Sequence, residues 1–293
     1  MFLKNRMIEA RLDRSMQFAL FFLLRVLNSG LFFEQFYTWL PIFKILRPIF
    51  AKELVEYDGK IKELEGSYQG SQTEKLIHGI ANPEIRKRLL RQRIKDAGWG
   101  DEGKDKFSKF SPSIQALVAL LGFEKKDFLK TAVFKSSFAW IYTRWEEDLA
   151  NNGLAFKGAI FLRLLQEIAS KGGKIEIMVG REIILNTLEY IEKTQTDKGS
   201  WTFFFKDFGE NNLDARLDTP LMASVICANL LSSRDIFHNL YPYNRLEKII
   251  ENSLGCLVDA QHKEGFWVAD SLDNLLKTLG WSIKFLDLCT KMG

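Results

Sequence analysis

Residues 184–201 read ILNTLEYIEKTQTDKGSW, and residues 250–267 read IENSLGCLVDAQHKEGFW. The two stretches align without a gap at a separation of 66 residues. In both, apolar residues with helical spacing precede the motif Gln-x-x-x-Gly-x-Trp. A helix and turn repeated at a fixed period are typical of architectures whose units bury their apolar faces against one another.

Each residue of the motif has a physical role at the end of a helix. Glutamine can hydrogen-bond the backbone groups left unpaired at a helix end, glycine permits a tight turn, and tryptophan fills the gap between helices. A further helix follows each copy, beginning near Thr219 and near Thr278. A degenerate third copy, with altered spacing, contains Gln92, Gly98 and Trp99.

Helical periodicity extends over most of the chain, whereas strand signals are scarce. We therefore predict an all-α fold of repeated helix pairs over residues 81–293, with an apolar N-terminal helical extension over residues 1–80. The predicted helices are 53–66, 83–95, 113–123, 126–149, 155–171, 179–195, 219–232, 243–261 and 271–290.

Composition restricts the partners. The formal charge is only +4, from 41 basic and 37 acidic residues that alternate along the chain, so we expect no nucleic acid partner. The three cysteines, Cys227, Cys256 and Cys289, are odd in number and form no CxxC pair. This pattern disfavours a disulfide framework and a zinc site. We expect reduced thiols, a cytoplasmic location, no metal and no cofactor.

The most apolar stretch lies near the N-terminus, at residues 16–50. Four charged residues interrupt it, and Pro41 and Pro48 should break its helices. No uninterrupted apolar run within it is therefore long enough to span a bilayer. Two interpretations stay open. The stretch forms two helices buried against the rest of the chain, or its aromatic and basic residues, such as Tyr37 and Trp39, make a peripheral membrane contact.

The spacing Gln-x-x-x-Gly-x-Trp resembles the QW repeat of squalene-hopene cyclases and related triterpene cyclases. That repeat typifies the α/α-toroid, which the β-subunits of protein prenyltransferases share. The resemblance covers roughly residues 85–290 and is strong over residues 180–290. It implies a toroid-like ring of helix pairs that acts on an isoprenoid or another apolar small molecule.

Residues 198–231, KGSWTFFFKDFGENNLDARLDTPLMASVICANLL, extend the resemblance. In class II terpenoid cyclases a Gly-x-Trp turn leads to Asp-x-Asp-Asp-Thr, whose middle aspartate protonates the substrate. Alignment on Asp218 puts Ala215 at the first aspartate and Leu217 at the acid position. The resemblance thus implies Asp218 as the acid of a protonation-initiated cyclisation, or Asp214 if the loop register shifts.

Three interpretations of this segment compete. The chain is a cyclase-like enzyme that uses Asp218, or it is a catalytically lapsed toroid that serves as a scaffold for a lipid, a peptide or a protein. In the third, Asp218 only caps the helix that begins beside Pro220.

Aromatic residues supply the candidate substrate-binding surface. In a cyclase their π faces would shield a carbocation, although the same residues can simply pack in the core. The expected residues are Trp201, Phe203, Phe204, Phe205, Trp267 and Trp281.

One acidic cluster, Glu146-Glu147-Asp148, could bind a divalent cation or act as the acid and base of a glycosidase. Adjacent side chains on a helix point in different directions, however, so a solvated helix end is the simpler interpretation.

Overall fold

The computed structural model describes residues 2–29, 42, 45–59, 83–100, 105–123, 126–151, 153–201, 220–269 and 272–291. Within these ranges the chain is helical and contains no β-strand, which confirms the predicted all-α class.

Ten α-helices form the described part of the chain, and most of their bounds lie within a few residues of the predicted ones. They are α1 (Phe2–Ser29), α2 (Ala51–Leu54), α3 (Pro83–Gln92), α4 (Phe110–Phe123), α5 (Ala132–Ala150), α6 (Ala155–Ser170), α7 (Ile175–Lys193), α8 (Pro220–Ser232), α9 (Tyr243–Ala260) and α10 (Leu272–Thr290). Short 3-10 helices occupy Val55–Tyr57, Lys126–Lys130 and Arg234–Ile236.

Local sequence explains several helix starts. Thr131 precedes α5 and its hydroxyl accepts a hydrogen bond from the amide of Phe134 at 3.1 Å, as a capping threonine should. α8 begins at Pro220, whose missing amide proton costs nothing in the first turn. The first helix begins at Phe2, ahead of the apolar stretch 16–50 and within the predicted N-terminal helical extension. Residues 30–41, 43 and 44 of that stretch lie outside the described residues.

The chain divides into two compact units, described separately. The first comprises Met1–Gln69, Thr196–Ala228 and Ile250–Gly293. Here α1 packs against α10. The buried residues of α1 recur every three or four positions, which gives the helix one core-facing stripe. They are Ile8, Leu12, Ser15, Met16, Ala19 and Leu23.

The second unit comprises Gly70–Gln195 and Asn229–Ile249. In this unit α6 packs against α4 on one side and against α7 on another. Half of the residues of α6 are buried and only Ser170, at its end, is exposed, as expected for a helix enclosed by others. They are Ala155, Gly158, Ala159, Phe161, Leu162, Leu164, Leu165 and Ile168.

Candidate functional site

Three tryptophan turns follow α3, α7 and α9 and share one backbone hydrogen-bond pattern. They are the first turn (Arg93–Trp99), the second turn (Gln195–Trp201) and the third turn (Gln261–Trp267). In each, the amide of the second residue donates to the carbonyl of the sixth, and the amide of the fifth donates to the carbonyl of the second. The repeat is therefore a repeat of backbone geometry as well as of sequence.

The fifth residue of each turn has a left-handed backbone, with φ of 81° at Ala97, 79° at Gly199 and 96° at Gly265. Glycine adopts this conformation without strain, whereas a Cβ atom makes it costly. The alanine thus carries a strain that the two glycines avoid.

The alignment of the degenerate copy on Gln92 and Gly98 is off by one residue. The structure places Arg93, which lies six residues before Trp99, where the other turns have glutamine, and it places Ala97 where they have glycine. The register could not be identified from residue types, because Arg93 stands at the glutamine position and Ala97 at the glycine position.

The tryptophans complete the ends of the preceding helices. The indole Nε1 of Trp99 donates to the carbonyl of Leu89 at 2.9 Å, and that of Trp267 donates to the carbonyl of Leu257 at 2.8 Å. Both carbonyls belong to the last four residues of a helix, where no helical amide is left to pair with them. Like these two rings, the ring of Trp201 is buried.

The third turn is bonded to α1. The Nε2 of Gln261 donates to the hydroxyl of Ser15 at 2.8 Å and to the carbonyl of Arg11 at 3.2 Å. The Ser15 hydroxyl donates to the carbonyl of Gly265 at 2.8 Å. A Cβ atom on Gly265 would lie 2.4 Å from the carbonyl oxygen of Arg14, so only glycine allows this approach.

The second turn contacts α9 in the same way. The Nε2 of Gln195 donates to the carbonyl of Ile249 at 3.1 Å, and the hydroxyl of Ser253 donates to the carbonyl of Gly199 at 2.8 Å. A Cβ atom on Gly199 would lie 2.1 Å from the carbonyl oxygen of Asn252. In both turns the glutamine bonds to the residue four positions before the serine.

The first turn bonds to α5 through arginine. The Nε of Arg93 donates to the hydroxyl of Ser137 at 2.9 Å, and its Nη2 donates to that of Ser136 at 2.6 Å. Arg93 therefore contacts a buried serine of the next helix pair, as Gln261 contacts Ser15.

One helix position, which we call the hydroxyl position, recurs in α1, α5, α7 and α9. It holds Ser15, Ser137, Thr187 and Ser253, all fully buried. At the third of these, the hydroxyl of Thr187 accepts a hydrogen bond from the indole Nε1 of Trp145 at 2.8 Å. Buried apolar residues flank every hydroxyl position at three residues before, one after and four after: Leu12, Met16 and Ala19; Phe134, Phe138 and Ile141; Ile184, Leu188 and Ile191; Ile250, Leu254 and Leu257.

The sequence analysis missed this position, although the signal was present. Thr187 and Ser253 are the fourth residues of the two aligned copies, each a small hydroxyl residue within an apolar stripe. A polar residue at the centre of a core-facing stripe needs a buried partner. Ser15 and Ser253 find that partner in a turn, whereas Thr187 finds it in Trp145 of α5.

Each described candidate for substrate binding packs against other residues on at least one face of its ring. Trp201 and Trp267 lie buried in their turns. Trp281 is half-buried on α10, and the Nζ of Lys284 stands 4.8 Å from the centre of its ring. The other predicted site residues lie outside the described residues: Phe203, Phe204, Phe205, Asp214 and Asp218.

The acidic cluster on α5 pairs with bases in different directions. Glu147 forms an ion pair with Arg144 at 2.7 Å, and Asp148 forms one with Lys157 at 2.7 Å. Across the described ranges, no group of three histidine, cysteine, aspartate or glutamate residues is arranged to hold a metal ion.

The three cysteines are free thiols. Cys227 and Cys289 are buried and Cys256 is half-buried. Burial raises the pKa of the Cys227 thiol, so this thiol stays protonated and unreactive at neutral pH.

A charged cluster in the second unit was not predicted, because its members are far apart in sequence. Glu192 accepts hydrogen bonds from the hydroxyl of Tyr241 at 2.7 Å and from the Nε of Arg245 at 2.9 Å. The hydrogen bond from Arg245 lowers the pKa of Glu192, while burial raises the pKa of Tyr241. The cluster ties the C-terminal end of α7 to the start of α9.

The chain matches no protein-family model and no curated protein sequence. In the part of the chain that is described, no helix combines the length and the apolar character needed to cross a bilayer.

Proposed function

We propose that the chain is a terpenoid-cyclase-like protein whose helix pairs close into an α/α-toroid and which acts on an isoprenoid. The observation that carries the proposal is the bonding of the third turn to α1. The first turn bonds to α5 and the second to α9, which in each case is the first helix of the next pair. If each turn bonds to the first helix of the next pair, the third turn needs a helix beyond α10. The contacts of α1 with the third turn supply that helix.

A closed ring explains this arrangement better than a linear array. The end repeats of a linear array have no neighbour on one side and need polar capping faces. Here α1 presents a hydroxyl position to the third turn and also packs against α10. The earliest and latest helices of the chain thus use the contacts that successive helix pairs use elsewhere.

The proposed chemistry follows from the likeness of residues 198–231 to the acid segment of class II cyclases. Asp218 lies two residues before Pro220, the first residue of α8. To protonate an alkene at neutral pH it must be buried and hydrogen-bonded so that its acid form persists. Asp218 is the proposed acid, and Asp214 is the substitute if the register of the segment shifts.

The test is an incubation with squalene and with prenyl diphosphates of increasing length, with products identified by gas chromatography and mass spectrometry. Wild type is compared with Asp218→Asn and Asp214→Asn. Asp197→Asn is the matched control, because Asp197 is an exposed aspartate of the second turn. The proposal predicts that Asp218→Asn abolishes product formation and that the control retains it.

A second candidate has its own supporting observation. Leu217 occupies the aligned acid position and cannot donate a proton. This favours a toroid that binds an isoprenoid or a protein without converting it. No product from wild type, together with retarded proteolysis or a raised Tm in the presence of a prenyl diphosphate, would select this candidate. Loss of product in Asp214→Asn alone would instead move the acid role to that residue.

A further inference from the structure

One exposed side of α1 carries apolar and basic residues. Met7, Arg14, Phe18, Phe21 and Arg25 are spaced by seven, four, three and four residues, so they share one side of the helix. Phe21 is 63% exposed and Met7 is 42% exposed. The opposite side of the helix carries the buried stripe described above. An exposed phenylalanine alone would need no explanation, but here it lies among other apolar and basic residues.

We propose that this face of α1 docks onto the surface of an anionic lipid bilayer. The apolar area extends beyond the helix, because the ring of Phe18 stacks on that of Phe22 at 6.0 Å and on that of Phe266 at 4.8 Å. Phe266 belongs to the third turn, and Val268, which directly follows this turn, is 80% exposed. A helix with phenylalanines and arginines on one face suits the boundary between acyl chains and headgroups.

Charge selects the lipid. α1 carries five basic residues and two acidic ones. The acidic residues, Glu9 and Asp13, are separated from Phe21 by about 80° or more of rotation around the helix. Arg14 and Arg25 flank Phe21, and their long side chains can reach phosphate groups while the ring enters the apolar layer. An anionic headgroup therefore complements the face on both counts.

The same charges argue against a second copy of the chain as the occupant. A two-fold contact through this face would bring the arginines of both copies together around the same apolar patch. A spanning arrangement is also disfavoured, since α1 does not qualify as a membrane span. Lipid docking needs neither a catalytic acid nor an isoprenoid, so it stands independently of the proposed function.

The experiment is flotation of the full-length chain with vesicles of phosphatidylcholine alone and with vesicles that also contain phosphatidylglycerol. Wild type should float with the anionic vesicles and should bind them less as salt is raised. Phe21→Ser should weaken the partitioning about tenfold, and Arg14→Gln or Arg25→Gln should each weaken it about fivefold.

Matched controls lie on α7. Ile177 is 78% exposed, and Arg181 forms an exposed ion pair with Glu176. Ile177→Ser and Arg181→Gln should leave flotation unchanged. Circular dichroism should show equal helix content in all variants, because the substituted side chains are not in the core.

Three results of the flotation experiment would overturn the proposal: no flotation of wild type with the anionic vesicles, equal flotation of Phe21→Ser and wild type, or equal losses in the α7 controls. A wild-type dimer that Phe21→Ser converts to a monomer would overturn it as well, because the face would then belong to a second copy.

Discussion

Replacement of Gly265 by alanine should detach the third turn from α1. The glycine has a φ of 96°, and its Cα approaches α1 so closely that an added Cβ atom would lie 2.4 Å from the carbonyl oxygen of Arg14. That oxygen belongs to helix backbone and cannot rotate away as a side chain could. The turn must therefore withdraw from the helix.

The magnitude has two contributions. The left-handed backbone costs a residue with a Cβ atom roughly 1–2 kcal/mol. Withdrawal also breaks the 2.8 Å bond from Ser15 and leaves the carbonyl of Gly265 buried without a partner, at about 1–3 kcal/mol. A total of about 3 kcal/mol corresponds, at about 2–4 °C per kcal/mol for large domains, to a fall in Tm of about 6–12 °C.

Thermal unfolding by circular dichroism and hydrogen exchange measure this change. The control is Gly255→Ala on α9, where an added Cβ atom would meet nothing within 4 Å and should stabilise the helix by up to about 1 kcal/mol. In Gly265→Ala the amides of α1 should lose protection first, because the turn is their neighbour. A Gly265→Ala protein with wild-type Tm and unchanged exchange in α1 would refute the proposed contact.

Three further predictions test other parts of the same architecture. Ala97→Gly should raise the free energy of unfolding by about 0.5–1 kcal/mol, because it removes backbone strain; an unchanged or lowered denaturation midpoint would contradict this. Trp267→Phe should cost about 2 kcal/mol, since it leaves the carbonyl of Leu257 unpaired in the core and shrinks the buried ring, and urea unfolding would measure the loss. For Glu192 the lowered pKa means that its stabilisation is present above the unfolded-state pKa and is lost as the pH falls through the folded-state pKa. The Tm difference between wild type and Glu192→Gln should therefore be present at pH 7 and shrink as the acid range is entered, and a difference independent of pH would contradict the ion-pair explanation.

Most of the secondary structure could be predicted from local sequence patterns. The apolar spacing and the Gln-x-x-x-Gly-x-Trp motif predicted helices that end in turns at Gln195 and Gln261, because these features act over a few residues. The first turn was harder to align, since its register depends on Trp99 and on backbone geometry that Arg93 and Ala97 maintain without the usual residue types.

Long-range partners were beyond the reach of the pattern. Gln261 and Ser15 are 246 positions apart, and nothing in the sequence of either segment indicates that the two are partners. The same holds for Glu192 and Arg245, whose ion pair requires the packed helices of the second unit. Motif residues could be predicted to need buried partners, but which helix supplies the partner is decided by the packing of the whole unit.

The two sides of α1 have different chemical requirements. The buried side needs a small hydroxyl at Ser15, because the third turn must approach the helix backbone. The outward side is free of that constraint, yet it holds Phe21 where a charged residue would be the ordinary choice for solvent. Exposure of one phenylalanine needs no explanation by itself. Phe21, however, lies among apolar and basic neighbours on a helix whose other side is fixed by packing, and an anionic bilayer is the partner that matches both kinds of neighbour.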